Sequence, residues 1–463
     1  MGTKKYRAGF AGHLKSGEPA APPSAATPSL FTYAHAERHL RSLELFGMRF
    51  GLERMRRLMT ALDSPHERLA CVQVVGTNGK SSTARMTAAL LERHGVRAGA
   101  YLSPHLGSFA ERIEIGGRAL GEDRFAAAVQ RAAQAAELVD RGLEGGDRVT
   151  QFEVLTAAAF WALGHSGVQA AVVEAGLGAR FDATSVVTPR VVALTNVGLE
   201  HTRWLGPTEA HVAAEKLATV QESGSLVTGP LGREALAVAE RVAAERRAGF
   251  GMLGRDFRVE PEPEPAEGFS VVTRGARYDD LRLRPLGDFQ RLNFAVATAA
   301  AEVFLGTLDA HAVREAAGGI LLPGRLEVVS RDPLVIYDGA HNPDAARAMR
   351  PSLEALVGAR PLVAVMSVLD DKDAAGILAT LAPLCVAAVF TRSSHERSLP
   401  PGTLESLCGQ LGGPRSEVAA TPGAALKRAR GLAGREGAVL VTGSIYLLSD
   451  LVRETGARGT MVA

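Results

Sequence analysis

The stretch Val72 to Thr83, VQVVGTNGKSST, has the makings of a phosphate-binding loop. A short apolar run (Val72, Val74, Val75) stops at Gly76. Gly76-Thr77-Asn78-Gly79-Lys80-Ser81 follows, and then an Ala- and Leu-rich stretch with helical spacing. A strand–loop–helix junction of this kind offers backbone N–H groups and the positive end of a helix dipole to phosphate oxygens. Gly76 and Gly79 let the backbone approach a phosphate closely. Lys80 can reach the terminal phosphates, and Ser81 or Ser82 can turn a hydroxyl to the nucleotide's metal. Val74 stands where the full Walker pattern has its first glycine, so the loop is a shortened one.

Three further groups follow directly after apolar runs. Ser103 comes after 97–102, Glu174 after 168–173 and His201 soon after 191–195. A hydroxyl, a carboxylate and an imidazole suit magnesium, which prefers oxygen ligands, keeps waters and shares phosphate oxygens. Lys216 lies in the apolar helical context AHVAAEKLATV. A lysine in such surroundings has a lowered pKa and can take up carbon dioxide as a carbamate. The residues alone favour a snorkelling surface lysine. Asp338-Gly-Ala-His341-Asn342-Pro343 ends another strand: Asp338 can accept from a ribose hydroxyl, and His341 can touch a ligand or a facing domain. Asn293 and Arg325 approach the domain boundary, where an arginine can cover nucleotide phosphates.

Positioning these groups requires a parallel sheet. Continuous apolar strands alternating with helices are buried on both faces, and ligands bind beyond the carboxyl ends of such strands. The loop, Ser103, Glu174 and His201 are therefore expected on one rim. The reading is α/β: an N-terminal P-loop-type, mainly parallel sheet flanked by helices, plus a smaller C-terminal Rossmann-like domain. The expected division is a disordered Pro/Ala/Ser-rich tail over 1–31, an ATP-binding domain over 32–321 and a second domain over 322–463, with LPGR at the junction. Helices are expected over about 32–62 with a glycine-punctuated break, 82–94, 122–140, 150–163 and 289–305. A hairpin is expected at Gly116-Gly117 and a β-rich excursion over 255–285. The second domain repeats strands at about 334–338, 362–368, 386–391 and 438–442, with helices between them. It lacks G-x-G-x-x-G, which argues against a dinucleotide there.

A chain of 463 residues suits two domains. A net charge of +2 gives no footprint for nucleic acid or an acidic membrane surface. The three scattered cysteines form neither a metal pattern nor a disulfide framework, which points to a reducing cytoplasm. No apolar run reaches membrane-spanning length, and no signal-peptide core precedes the loop. A monomer is expected.

GTNGK, SPHL, EAGLGARFDAT, TNVGLEHTRWLG, the EK before Leu217, LPGR, YDGAHNP and LDDKD occur in the order found in dihydrofolate synthase/folylpolyglutamate synthase, a branch of the Mur ligase superfamily. The resemblance runs from about Phe46 to Tyr446. It implies an ATP-dependent amide ligase acting on small molecules, a pterin or folate and L-glutamate. By this resemblance Gly76 to Ser81 hold the ATP phosphates, and Ser103, Glu174 and His201 bind magnesium. Lys216 is carbamylated near a second magnesium, and Asn293, Arg325, Asp338 and His341 meet ATP across the cleft. Lys80, Lys216 and His201 are the implied catalytic set. The pterin would lie near Met48, Arg49, Phe50, Thr150, Gln151, Phe152, Glu153, Phe181, Asp182 and Ala183. Four positions depart from the family pattern: Ser81 and Ala179 replace glycine, Arg49 stands where bifunctional members often carry Asp, and Glu200 replaces Asp. A peptidoglycan-building Mur ligase would need a UDP-sugar-binding domain before the loop, for which the preceding residues leave no room. A non-catalytic nucleotide-binding regulator would not need Glu174, His201 and DGAHNP together.

Overall fold

The computed structural model describes residues 31–43, 51–262 and 268–455. Met48, Arg49 and Phe50, and almost all of the N-terminal tail, lie outside the described residues. The first sheet is built from β1 (Ala70–Val75), β2 (Ala98–Tyr101), β3 (Ile113–Ile115), β4 (Arg118–Ala119), β5 (Ala170–Glu174), β6 (Pro189–Leu194), β7 (Ser225–Thr228) and β8 (Gly249–Met252). These eight strands take the order β4-β3-β2-β5-β1-β6-β7-β8. Pairing is parallel from β2 to β8, and the β3–β4 hairpin adds an antiparallel edge turning at Gly116-Gly117.

The apolar runs sit where a parallel sheet needs them. β5 is buried along its whole length, and β1 from Cys71 onward. Because side chains alternate across a strand, Cys71 enters the core beneath helices Glu122–Asp140 and Gln151–Gly164, while Val72 and Val74 enter the one beneath Lys80–Arg93 and Asp288–Leu305. The loop ending β1 has little room for side chains. A Cβ on Gly76 (φ 149°) would fall 1.9 Å from Thr195 Oγ1, and one on Gly79 (φ 80°) 2.5 Å from Asn293 Oδ1. Glycine removes both clashes and tolerates the positive φ.

The excursion is a three-stranded antiparallel sheet of β9 (Arg258–Pro261), β10 (Phe269–Val272) and β11 (Arg277–Leu281). The second lobe has β12 (Glu327–Arg331), β13 (Leu334–Tyr337), β14 (Leu362–Met366), β15 (Ala387–Phe390), β16 (Arg415–Val418) and β17 (Ala438–Thr442), ordered β12-β13-β17-β14-β15-β16. All its pairs are parallel except β12–β13. Helix Ala310–Gly319 still packs in a core of the first sheet, and Glu327 already opens the second. We propose that the domains divide between them, at LPGR.

Candidate active site

The phosphate loop is held by the loop after β6. The Thr77 and Asn78 N–H groups donate to Asn196 O (3.1 Å) and Oδ1 (3.0 Å). In return, Thr195 Oγ1 and Asn196 Nδ2 donate to the Asn78 carbonyl at 2.6 and 3.1 Å. The Lys80 ammonium donates to the Thr77 carbonyl at 3.0 Å, which keeps it at the lip of the loop. Asn293 leans over Gly79 from helix Asp288–Leu305, and its amide donates to Gln290 Oε1 at 3.0 Å.

Glu174 ends β5 beside this loop and is 2% exposed. Its two oxygens accept from the Ser81 hydroxyl at 2.8 Å and the Ser103 N–H at 2.9 Å. Burial pushes its pKa up, against the charge of Lys80, those two hydrogen bonds and the charge of Arg325. A buried carboxylate with spare lone pairs beside a phosphate loop fits a hard cation. Among the described residues no three His, Cys, Asp or Glu side chains gather as a metal site. The remaining ligands would therefore be hydroxyls, an imidazole and oxygens of the nucleotide.

His201 sits in the left-handed region (φ 53°) before the turn Thr202–Leu205. Burial first, then the Lys372 charge, holds its pKa down to about 4, so the ring is neutral at pH 7 and has a lone pair to give. Lys216 is 4% exposed, and its Nζ donates to the Gly76 carbonyl at 2.7 Å. Burial and then the Lys80 charge lower its pKa to about 7, far from the snorkelling alternative.

The second lobe reaches the same rim. Asn342 caps helix Pro343–Val357, and its side-chain amide exchanges hydrogen bonds with that of Asn78 at 2.9 and 3.2 Å. Glu200 meets Lys372 Nζ at 2.8 Å and His341 Nε2 at 3.2 Å, with His201 Nε2 at 4.0 Å. Burial opposes its charge, but His341, Lys372 and His201 hold its carboxyl far below the usual range. Lys372 carries no expected role on sequence grounds. Its signal was the motif LDDKD, where a lysine among three aspartates resembles a solvated surface group. Asp338 accepts from the N–H groups of Leu326 (2.7 Å) and Ala340 (2.8 Å), with Arg325 acting on its charge.

The expected pterin residues separate into two groups. Phe152 and Asp182 flank Gly176, where a Cβ would lie 2.8 Å from Phe152 Cζ and 3.0 Å from Asp182 Oδ2. Phe181 beside them is 47% exposed, while Ala183 is buried. Asp182 also accepts from the N–H groups of Leu177 (2.8 Å) and Thr184 (3.0 Å). Thr150, Gln151 and Glu153 hold the helix Gln151–Gly164 in place. Thr150 and Glu153 form a capping box. Gln151 Nε2 donates to Leu40 O at 2.7 Å, and Glu153 pairs with Arg54 at 3.0 Å. Arg54 also bonds Asp147 at 3.0 Å. Arg54→Ala should lower stability by about 3 kcal/mol, because it leaves a buried carboxylate unpaired. The check is urea unfolding. A loss within about 0.5 kcal/mol, the size of an ordinary surface substitution, would mean the pair carries no load.

Comparison with known proteins bears on this arrangement. Residues 324–445 match the family described as "Mur ligase, glutamate ligase domain". The "Dihydrofolate synthase/folylpolyglutamate synthase" of Bacillus subtilis is 32% identical over 91% of this chain and 99% of its own length. The chain belongs to the dihydrofolate synthase/folylpolyglutamate synthase family. A family relative from Haloferax volcanii, a "Probable bifunctional folylpolyglutamate synthase/dihydropteroate synthase", is 35% identical over 93% of this chain. This chain spans only about half, 51%, of that relative's length. Among solved family structures, the Mycobacterium tuberculosis folylpolyglutamate synthase complexed with ADP superposes with a TM-score of 0.87 at 31% identity, covering 92% of this chain and 98% of that one.

Proposed function

We propose that this chain is an ATP-dependent ligase that joins the α-amine of L-glutamate to a carboxylate of dihydropteroate, of a folyl(poly)glutamate, or of both, releasing ADP and phosphate. A carboxylate is a poor electrophile, so its oxygen must first attack the γ-phosphorus of ATP, with ADP leaving. The glutamate amine then attacks the acyl carbon of the acyl phosphate, and phosphate leaves. Lys80 neutralises charge on the transferred phosphate. Asn293, Arg325, Asp338 and His341 hold nucleotide at the rim. Phe152 and the segment Phe181 to Ala183 offer a wall for the pterin. Glu174, Ser103, His201 and a loop hydroxyl are suited to hold magnesium, which supplies Lewis-acid charge to phosphate oxygens. A carbamate on Lys216 would turn a buried amine into an anionic ligand for a second magnesium. Closure of the second lobe excludes water, to which acyl phosphates are labile.

The observation that carries this reading is the convergence of Lys80, Ser81, Glu174 and Ser103 on one rim, gripped from the second lobe through Asn78 and Asn342. No helix among the described residues is long and apolar enough to cross a membrane. A cytoplasmic monomer with no nucleic-acid partner completes the proposal. The test is phosphate release from Mg-ATP with dihydropteroate or tetrahydrofolate, each with and without glutamate. Release should need glutamate with at least one acceptor and stop when EDTA removes the metal. Hydrolysis indifferent to glutamate, or none with either acceptor, would overturn the reading.

A further inference from the structure

The turn that joins the lobes, Leu322 to Glu327, carries Arg325. Among the described residues its guanidinium makes no ion pair and no hydrogen bond. Arg325 Nη1 lies 2.9 Å from where a Cβ on Gly339 would fall, and its charge acts on Glu174 in the first lobe and Asp338 in the second. The guanidinium therefore stands between the lobes with its donors free for a ligand. Its aim is set by the backbone that carries it.

That backbone is fixed donor by donor. The Gly324 N–H donates to Glu327 Oε2 at 2.7 Å, the Arg325 N–H to Leu322 O at 3.2 Å and the Leu326 N–H to Asp338 Oδ2 at 2.7 Å. The Gly324 carbonyl accepts from the Gly339 N–H at 2.9 Å. Gly324 (φ 66°) and Leu326 (φ 49°) both lie in the left-handed region. A leucine holds that conformation only where its surroundings over-determine it. Leu326 is buried in a core of the second lobe, and Arg325 before it is half-buried. A Cβ on Gly324 would fall 3.0 Å from Leu106 Cδ1 and 3.2 Å from Leu448 Cδ1, so the turn is also hemmed in from outside.

Glu327 is the unexpected member. It is 9% exposed, and burial pushes its pKa up, opposed by the hydrogen bond from Gly324. Among the described residues no cation pairs with it. A buried carboxyl without a cation is costly, and an apolar side chain would suit the site better if packing were its only task. We propose that Glu327 is a positioning residue for the nucleotide: by accepting from the Gly324 N–H it fixes the turn that aims Arg325 at the phosphates. The inference rests on the ligase reading above, in which Arg325 holds nucleotide. Asp338 does not suffice, because its two oxygens are committed to the N–H groups of Leu326 and Ala340 and leave the Gly324 side of Arg325 unheld.

A double-mutant cycle on the full chain tests this, titrating with magnesium and AMPPCP, a nucleotide whose γ-phosphate is not transferred. Glu327→Met fills the space without an acceptor and should raise Kd roughly tenfold, the scale of one charge-assisted hydrogen bond. In an Arg325→Ala background the same change should move Kd by less than about twofold, because no guanidinium is left to aim. Glu327→Gln keeps an oxygen for Gly324 and should stay within about twofold of wild type. Glu327→Asp keeps the charge but falls short of Gly324. It should raise Kd in the same direction by less, and it serves if Glu327→Met misfolds. KM for the acyl acceptor and for glutamate should hold within about twofold in all three single variants of Glu327. The same loss in both backgrounds, an unchanged Kd in Glu327→Met, or a loss in Glu327→Gln equal to that in Glu327→Met would overturn the inference. A wild-type chain that binds no AMPPCP would instead overturn the ligase reading.

Discussion

Lys80→Ala should lower kcat by about 10³-fold or more with every acceptor, the range seen when a cation facing a transferred phosphoryl group is removed. The argument is positional. Lys80 is the first residue of helix Lys80–Arg93, and its ammonium already sits at the loop lip through Thr77 O at 3.0 Å. Charge moves from the γ-phosphate to the β–γ bridge during transfer, and no backbone N–H of the loop can replace a full positive charge there. Rapid-quench measurement of acyl phosphate formation separates this step from amide formation. Lys80→Arg keeps the charge but not the compact ammonium, so it should recover only part of the rate. Near-normal turnover in Lys80→Ala would show that the loop does not hold the transferred phosphate.

Lys216→Ala is the second. Turnover should fall by about 10²-fold and recover in part with formate or acetate, small anions able to enter the space of a carbamate. The lysine is buried and bonded to Gly76 O at 2.7 Å, directly behind the first residue of the loop. A pKa lowered to about 7 leaves a substantial neutral fraction at neutral pH, the form that reacts with carbon dioxide. The intact protein should carry the added mass of carbon dioxide, lost on acidification. An unmodified mass together with failure of carboxylates to restore activity would end the carbamate reading. The unmodified amine also leaves a pH signature. Its folded pKa is about 7, below the 10.5 of the free side chain, so between these values the unfolded chain binds more protons. Stability from this group therefore rises with pH through that window. Lys216→Met should flatten that rise in denaturant titrations.

Much of this fold was legible because its strands are buried on both faces. AAVVE and RVVAL admit no other placement, and helices such as Glu122–Asp140 fall where the periodicity puts them. Strands β7 and β8 and the helix Arg233–Glu245 between them went unread. Four-residue strands such as SLVT and GFGM carry too little periodicity to stand out, and pairing of β7 on β6 and of β8 on β7 decides them. The antiparallel edge β12, Glu327–Arg331, was missed too. The site divides along the same line. Groups at or shortly after the end of a buried strand (Lys80, Glu174, Asp338) could be placed from topology. Groups whose role depends on a partner far along the chain could not. Glu153 read as a substrate contact, and its pairing with Arg54, 99 residues away, had no signal in the sequence. Glu200 read as a mild change from Asp, yet it meets Lys372, 172 residues on.

The mutual amide bonding of Asn78 and Asn342 ties one residue of the nucleotide cradle to the cap of a helix in the facing lobe. Both amides are uncharged, so ionic strength leaves this clasp intact. Any displacement of Asn78 when the cradle fills is passed to helix Pro343–Val357 with no intermediate lever. The pair therefore links the nucleotide cradle directly to the orientation of the far lobe.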